Sequence, residues 1–224
     1  MNCKNYAKSN KRSYTIAMNK QLIQEILESD ISLVAVTKMH TKEEVDQLAE
    51  LGCTTFGENR VQEFLTKYDP KYSWHLIGHL QTNKVKYIIG KVDVIESVDS
   101  KKLAKEIDKY AKKQDIIQDV FVEVKISKTD MNKSGIEPDQ TLELIQYIQE
   151  ELENVRCTGL MTIASNTDAQ NLLKQEFSDM RELYKSAKSK YSSISTLSMG
   201  MSQDWPLAIK YGSNQIRIGT ALFK

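Results

Sequence analysis

The stretch ISLVAVTK, residues 31–38, decides how the rest of the chain is read. Its first six residues form a short apolar run with β-branched positions, enough for one buried strand. The run ends in Thr37-Lys38, and a helical pattern begins within a few residues. A lysine at the carboxyl end of a buried strand has its stem held by the strand and its amine at the strand tips. Partial desolvation there would lower its pKa and make Lys38 a candidate Schiff-base former. The plainer reading is a lysine that marks the strand edge and snorkels to water.

Working outward, a strand-then-helix unit recurs. Ahead of it, Met18, Leu22, Ile23, Ile26 and Leu27 fall at helical spacing. After it, Thr41 with Glu44 forms a capping-box pattern opening a helix that stops at Gly52. Further strands are predicted at 53–56, 74–77, 92–98, 120–126, 157–163, 194–199 and 215–218. Helices are predicted between them: one through Val61, Phe64 and Leu65, one through Val85, Ile88 and Ile89 to Gly90, and one capped by Asp99-Ser100. Three more follow, opened by Pro138, running over 168–188, and lying short within 200–212. Eight strands alternating with helices at ~25 residues per unit predict parallel strands with crossover helices. A single-domain (β/α)8 TIM barrel over residues 1–224 is the expected fold, with residues 1–16 a loose terminus. An open doubly wound sheet is the alternative, but no GxGxxG follows the first strand.

Composition narrows the function. The 224 residues carry a net charge of +1 and 40% hydrophobic residues. The near-neutral balance, without a dense Lys/Arg run, argues against nucleic-acid binding. No window approaches the ~18 apolar residues of a membrane span. The polar, basic first residues lack the apolar core of a secretory signal. Cys3, Cys53 and Cys157 are odd in number and far apart, which makes no disulfide framework and suits a reducing cytoplasm. No exposed apolar stripe stands out, so a monomer is expected.

In a barrel, the loops after the strands share one face, where ligand sites sit. Lys38, the segment FGENR (56–60), GHLQTNK (78–84), NKSG (132–135), SMGMS (198–202) and RIGT (217–220) all fall there. The last two occupy the usual phosphate-site loops, with glycines, hydroxyls and amides at a short helix start. A phosphate site beside a strand-borne lysine has two readings: a Schiff-base aldolase for a sugar phosphate, or a pyridoxal 5'-phosphate (PLP) protein. Arg217, facing inward, could donate to a pyridine nitrogen, since an arginine cannot give up its proton. Its other reading is a salt bridge to a barrel carboxylate such as Glu123. His75 and His79, four apart across a strand and loop, lack a third ligand for a metal. Trp205-Pro206, Met199 and Met201 read as packing.

Taken together, VAVTK, FGENRVQE, WHLIGHLQTNK, NKSGI, GLMTI, LSMGMSQDW and IRIGTALF resemble the pyridoxal phosphate homeostasis protein family, in the family's order over residues 33–223. The resemblance implies a fold-type III barrel, like the N-terminal domain of alanine racemase, without its second domain and without established turnover. By position it implies that Lys38 forms the internal aldimine with PLP and that Arg217 sits beside the pyridine nitrogen. It also implies phosphate contacts from Ser202, Gly219 and Thr220, with Ser198 and Met199 lining that loop and Asn59 near the cofactor. The implied function is cofactor buffering or delivery, affecting amino-acid and keto-acid balance, with PLP-requiring apo-enzymes as possible partners. A PLP-dependent amino-acid racemase is the alternative, and a sugar-phosphate lyase a third. A racemase needs a second acid/base group on the opposite ring face. The segment before Met18 departs from the family's usual opening helix.

Overall fold

The computed structural model describes residues 17–127, 129 and 133–223. The expected loose terminus, Cys3, Asn132 and part of the loop after the fifth strand lie outside these residues. Eight parallel strands close into a barrel in sequence order: β1 (Ser32–Val36), β2 (Thr55–Glu58), β3 (Ser73–Leu76), β4 (Val94–Val98), β5 (Gln118–Val124), β6 (Val155–Thr162), β7 (Thr196–Ser198) and β8 (Gln215–Ile218). Closure is made by β8 against β1, with Val34 opposite Arg217 and Ala35 opposite Ile218. The helices are α1 (Lys20–Leu27), α2 (Lys42–Glu50), α3 (Val61–Lys67), α4 (Lys101–Lys113), α5 (Thr141–Glu151), α6 (Gln170–Lys190) and α7 (Trp205–Lys210).

The local signals explain most of these elements. The Glu44 amide donates to Thr41 Oγ1 at 3.3 Å, and the Thr41 amide donates to Glu44 Oε2 at 2.6 Å, completing the box that starts α2. Such a cap stabilises a helix by about 1 kcal/mol. Ser100 caps α4 by accepting the Leu103 amide. Two helices differ from expectation. After β3 the chain forms a 3₁₀ helix, Thr82–Tyr87, instead of an α-helix. Only nine residues separate Gln81 from Lys91, Gln81 provides no side-chain cap, and Val85, Ile88 and Ile89 are poor helix formers. Pro138 opens a 3₁₀ turn, Pro138–Gln140, and α5 begins at Thr141.

Side-chain parity divides each strand between two environments. Outward residues such as Ala35, Phe56, Trp74, Ile95, Val122, Leu160, Leu197 and Ile218 join the helices in the main apolar core. Burying each large side chain contributes roughly 1.5–3 kcal/mol. The inward set is different. Val34, Val36 and Ile77 form a separate small cluster, and beside them lie His75, Glu96, Ser198, Gln215 and Arg217, all buried. The barrel interior is therefore partly a hydrogen-bonded polar core, which is stable only when its members satisfy one another.

Candidate functional site

A cavity of about 830 Å³ opens among the loops that follow the strands. Lys38, Asn59, Glu123, Lys133, Ser202, Asp204, Arg217, Gly219 and Thr220 all reach it. Of the residues singled out in sequence, Lys38, Asn59, Ser202, Arg217, Gly219 and Thr220 are thus brought to one cavity. Ser198 and Met199 are fully buried and do not line it. Ser198 lies beneath the cavity as an inward β7 residue, whereas Met199 packs in the outer core. Met201, read as packing, lines the cavity and is partly exposed.

Lys38 lies two residues past the end of β1, in a turn, and is exposed. The desolvation expected from a lysine on the strand is therefore not provided by the protein chain. Among the described residues Lys38 makes no hydrogen bond or ion pair, so its amine is free to meet a ligand. Asn59 follows β2 directly. The loop after β3 packs on it so closely that a Cβ at Gly78 would lie 2.4 Å from the Asn59 carbonyl oxygen, a space only glycine leaves.

Arg217 is held from below. Its Nη1 donates to Ser198 Oγ at 2.6 Å and its Nη2 to the Thr162 carbonyl at 2.7 Å. Ser198 Oγ donates in turn to Glu96 Oε2 at 2.7 Å, and Gln215 donates to both Glu96 and Ser198. His75 Nδ1 lies 2.6 Å from Glu96 Oε1. The ion partner of Arg217 is thus Glu96, at 3.9 Å, and not the Glu123 considered from sequence. Burial would raise the Glu96 carboxyl, but His75, Arg217 and Ser198 outweigh it and hold the carboxyl below the ordinary range. Burial lowers the Arg217 guanidinium, and Glu96 opposes that shift. His75 belongs to this network, while His79 is exposed at the rim, 3.9 Å from Asp99.

The far wall carries the backbone amides of Ser202, Gly219 and Thr220, which point to no protein acceptor among the described residues. Clustered free amides of this kind favour an anion. A Cβ at Gly219 would press on Val36 at 3.3 Å, so glycine keeps this wall close to β1. Helix α7 is only six residues long and is headed by Asp204, whose carboxylate accepts the Met201 amide at 2.6 Å. That bond lies ahead of the helix, and the Asp204 side chain caps none of the amides that start it. Burial raises the Asp204 carboxyl, against the pull of the Met201 amide and Arg217.

Glu96 was not singled out beforehand, and Glu123 was weighed only as a partner for Arg217; both sit inside apolar runs, VDVIESV and VFVEVKI, where an inward charged residue in a buried strand was the available signal. Glu123 is 3% exposed, accepts the Ser134 hydroxyl at 2.7 Å, and has no partner for Oε2 among the described residues. Burial pushes its carboxyl above the ordinary range, more than Ser134 and Arg217 pull it down. A raised carboxyl stabilises the fold fully below the ordinary carboxylate range, and that contribution fades as pH rises through the raised value. Glu123→Gln, neutral at every pH, should match the wild type in thermal unfolding at pH 4 and exceed it increasingly towards pH 8. A variant no more stable than wild type at pH 8 would contradict the placement of an unsatisfied carboxylate there.

Comparison with known proteins agrees with this architecture. The family model for the alanine racemase N-terminal domain matches residues 13–224. A protein of Aquifex aeolicus called pyridoxal phosphate homeostasis protein is 43% identical over 201 residues, covering 88% of this chain and 87% of its own. One of the same name from Schizosaccharomyces pombe is 35% identical over 215 residues, covering 92% and 89%. The structure of PipY from Synechococcus elongatus PCC7942 with PLP bound superposes with a TM-score of 0.81 at 32% identity, covering 91% and 97%. No helix among the described residues is long and apolar enough to cross a membrane. With its closed eight-stranded barrel, its matched motifs and relatives alike over nearly their whole length, the chain belongs to the pyridoxal phosphate homeostasis protein family.

Proposed function

We propose that this chain binds PLP in the cavity at the barrel mouth and serves intracellular PLP homeostasis, buffering the cofactor or delivering it to PLP-requiring apo-enzymes, without catalytic turnover. The observation that carries this reading is the donor set: a free primary amine, a buried guanidinium and three amides without acceptors share one cavity. When bound, PLP supplies an aldehyde that an amine can capture and a ring that delocalises negative charge.

The residues present fit that group. Lys38 would hold it covalently through its ε-amino nitrogen. Ser202, Gly219 and Thr220 would hold its phosphate through their amides. Arg217, anchored by Ser198 and Thr162, would donate to the ring nitrogen, and because it keeps its proton it leaves the ring a weaker electron sink than a carboxylate partner would. Asn59 stands near the reactive end. Ser198 and Met199 act from behind the wall, Ser198 through Arg217 and Met199 through packing. We take the chain to be a single barrel domain, a monomer and cytoplasmic. The racemase alternative gains no support from a specific contact in the cavity.

The test is the visible spectrum of the purified protein on PLP addition, followed by borohydride reduction and peptide mass mapping. A yellow band, fixed by borohydride on the peptide that carries Lys38, is the expected result. Incubation with alanine in heavy water should then give no deuterium at the α-carbon. Absence of any band in excess PLP would overturn the cofactor reading, and deuterium incorporation at enzyme-like protein concentrations would replace it by the racemase.

A further inference from the structure

Beneath Lys38 lies a buried ionic cluster that no feature of the wall proposed to hold the phosphate requires. Lys67, at the end of α3, is 4% exposed. An ammonium has three N–H donors, and Lys67 has three acceptors: the Thr37 carbonyl at 2.7 Å, Glu58 Oε1 at 2.8 Å and Glu63 Oε1 at 3.0 Å. The two carboxylates reach on to the same short segment. Thr37 Oγ1 donates to Glu58 Oε1 at 2.6 Å. The Met39 amide donates to Glu63 Oε1. The residues on both sides of Lys38 are therefore gripped by one cluster.

The arrangement is costly. Burial of an ammonium with carboxylates is repaid only by good geometry, and Glu58 Oε2 is buried with no partner among the described residues. Burial also raises the Glu58 carboxyl against the pull of Lys67 and Thr37. Met39 has φ 66°, in the left-handed region that non-glycine residues seldom occupy. Strained backbone of this kind persists where the surroundings over-determine it. Among the described residues Lys38 makes no hydrogen bond or ion pair of its own, so its amine is located through its backbone. Lys67, Glu58 and Glu63 hold that backbone, together with the hydrogen bonds from the Thr37 amide to the Gly57 carbonyl and from the His40 amide to the Thr37 carbonyl.

We propose that Lys67, with Glu58 and Glu63, is a positioning residue for Lys38, holding the Thr37–Met39 backbone so that the Lys38 amine meets an aldehyde placed by the anion-binding wall. The covalent step it serves is addition of the amine nitrogen to the aldehyde carbon and loss of one water as the carbon–nitrogen double bond forms. This inference rests on the PLP reading above, but part of its test does not.

The test compares wild type, Lys67→Met and Glu63→Ala, the second because its partly exposed partner can be removed without stripping Glu58 of its cation. The first readout is amide hydrogen exchange in protein without added PLP. Exchange at Met39, whose amide Glu63 accepts, should quicken by about tenfold or more, as expected for local opening, while β5 and β6 keep wild-type protection. The second readout is affinity for PLP and for pyridoxine 5'-phosphate, which carries an alcohol in place of the aldehyde. PLP binding should fall by up to about 10²-fold, the scale of a misplaced reacting group, while the alcohol binds as in wild type. If Lys67→Met does not fold, Glu63→Ala carries both readouts. Unchanged exchange at Met39, or equal losses for both ligands, would overturn positioning. A wild type that binds neither ligand would instead defeat the PLP reading, and the exchange result would still decide the grip on the backbone.

Discussion

Lys38→Ala should abolish the visible band that PLP gives the wild type, and should leave nothing for borohydride to fix. The alanine variant keeps the amides of Ser202, Gly219 and Thr220 proposed to hold the phosphate, and the anchored Arg217, so it should retain weak, reversible PLP binding. Its affinity should fall by about 10²-fold or more, because the oriented covalent partner is gone. Pyridoxine 5'-phosphate, which cannot bond an amine, should bind both proteins alike. Folding should be untouched, since Lys38 is exposed and makes no hydrogen bond or ion pair among the described residues. A surviving band would mean that another amine captures the aldehyde. Lys133, which lines the same cavity and donates to the Ile163 and Ala164 carbonyls, would then be the residue to map.

Arg217→Met should produce the largest loss of stability. Arg217 is 3% exposed and is the cation facing the fully buried Glu96. Removing one partner from a buried charge pair costs about 3–5 kcal/mol, because the other charge remains without water. For a chain of this length that corresponds to a fall in Tm of about 6–20 °C. The penalty should depend on pH. The Glu96 carboxyl is held below the ordinary range in the folded protein, so its contribution is present above the ordinary range and lost as pH falls through the lowered value. The gap between variant and wild type should therefore narrow in acid. Adding Glu96→Gln to Arg217→Met should recover part of the loss, since the charge left behind is then gone, and the cycle measures the coupling directly. Equal denaturant unfolding of Arg217→Met and wild type at pH 7 would show that this network does not stabilise the barrel.

The two predictions divide the cavity by what each residue is for. Lys38 contributes little to the fold and, on the proposed PLP reading, would be the chemical handle. Arg217 belongs to both, because the guanidinium that reaches the cavity is the one that neutralises the barrel interior. A substitution at Ser198 would act on the cavity only through Arg217, although Ser198 does not line it.

Much of this was legible without a fold. Strand count and alternation follow from apolar runs such as ISLVAV, whose lengths suit strands and not helices. The capping box at Thr41 and Glu44 is a local signal, and it formed as read. Lys38, Ser202, Gly219 and Thr220 could be placed at one end because closing a barrel sends every post-strand loop to one face, and Arg217 could be placed with them by its inward position on β8. The readings that failed were those needing partners. The helix after β3 became 3₁₀ because nine residues must span the gap to Lys91 without a cap. Arg217 took Glu96 over Glu123, and Met199 turned outward while Ser198 turned inward.

The sequence alone determined the periodicities, and with them the eight parallel strands and the face on which the site lies, because strand parity and loop polarity are properties of neighbouring residues. Only the tertiary structure decided which inward charges meet. Glu96 is bonded by Ser198 from 102 residues away and by Gln215 from 119, and Thr37 is gripped by Lys67 from 30. Such pairings depend on barrel closure and on the stagger of strands against one another, and desolvated charges then select the nearest partner that satisfies their hydrogen bonds.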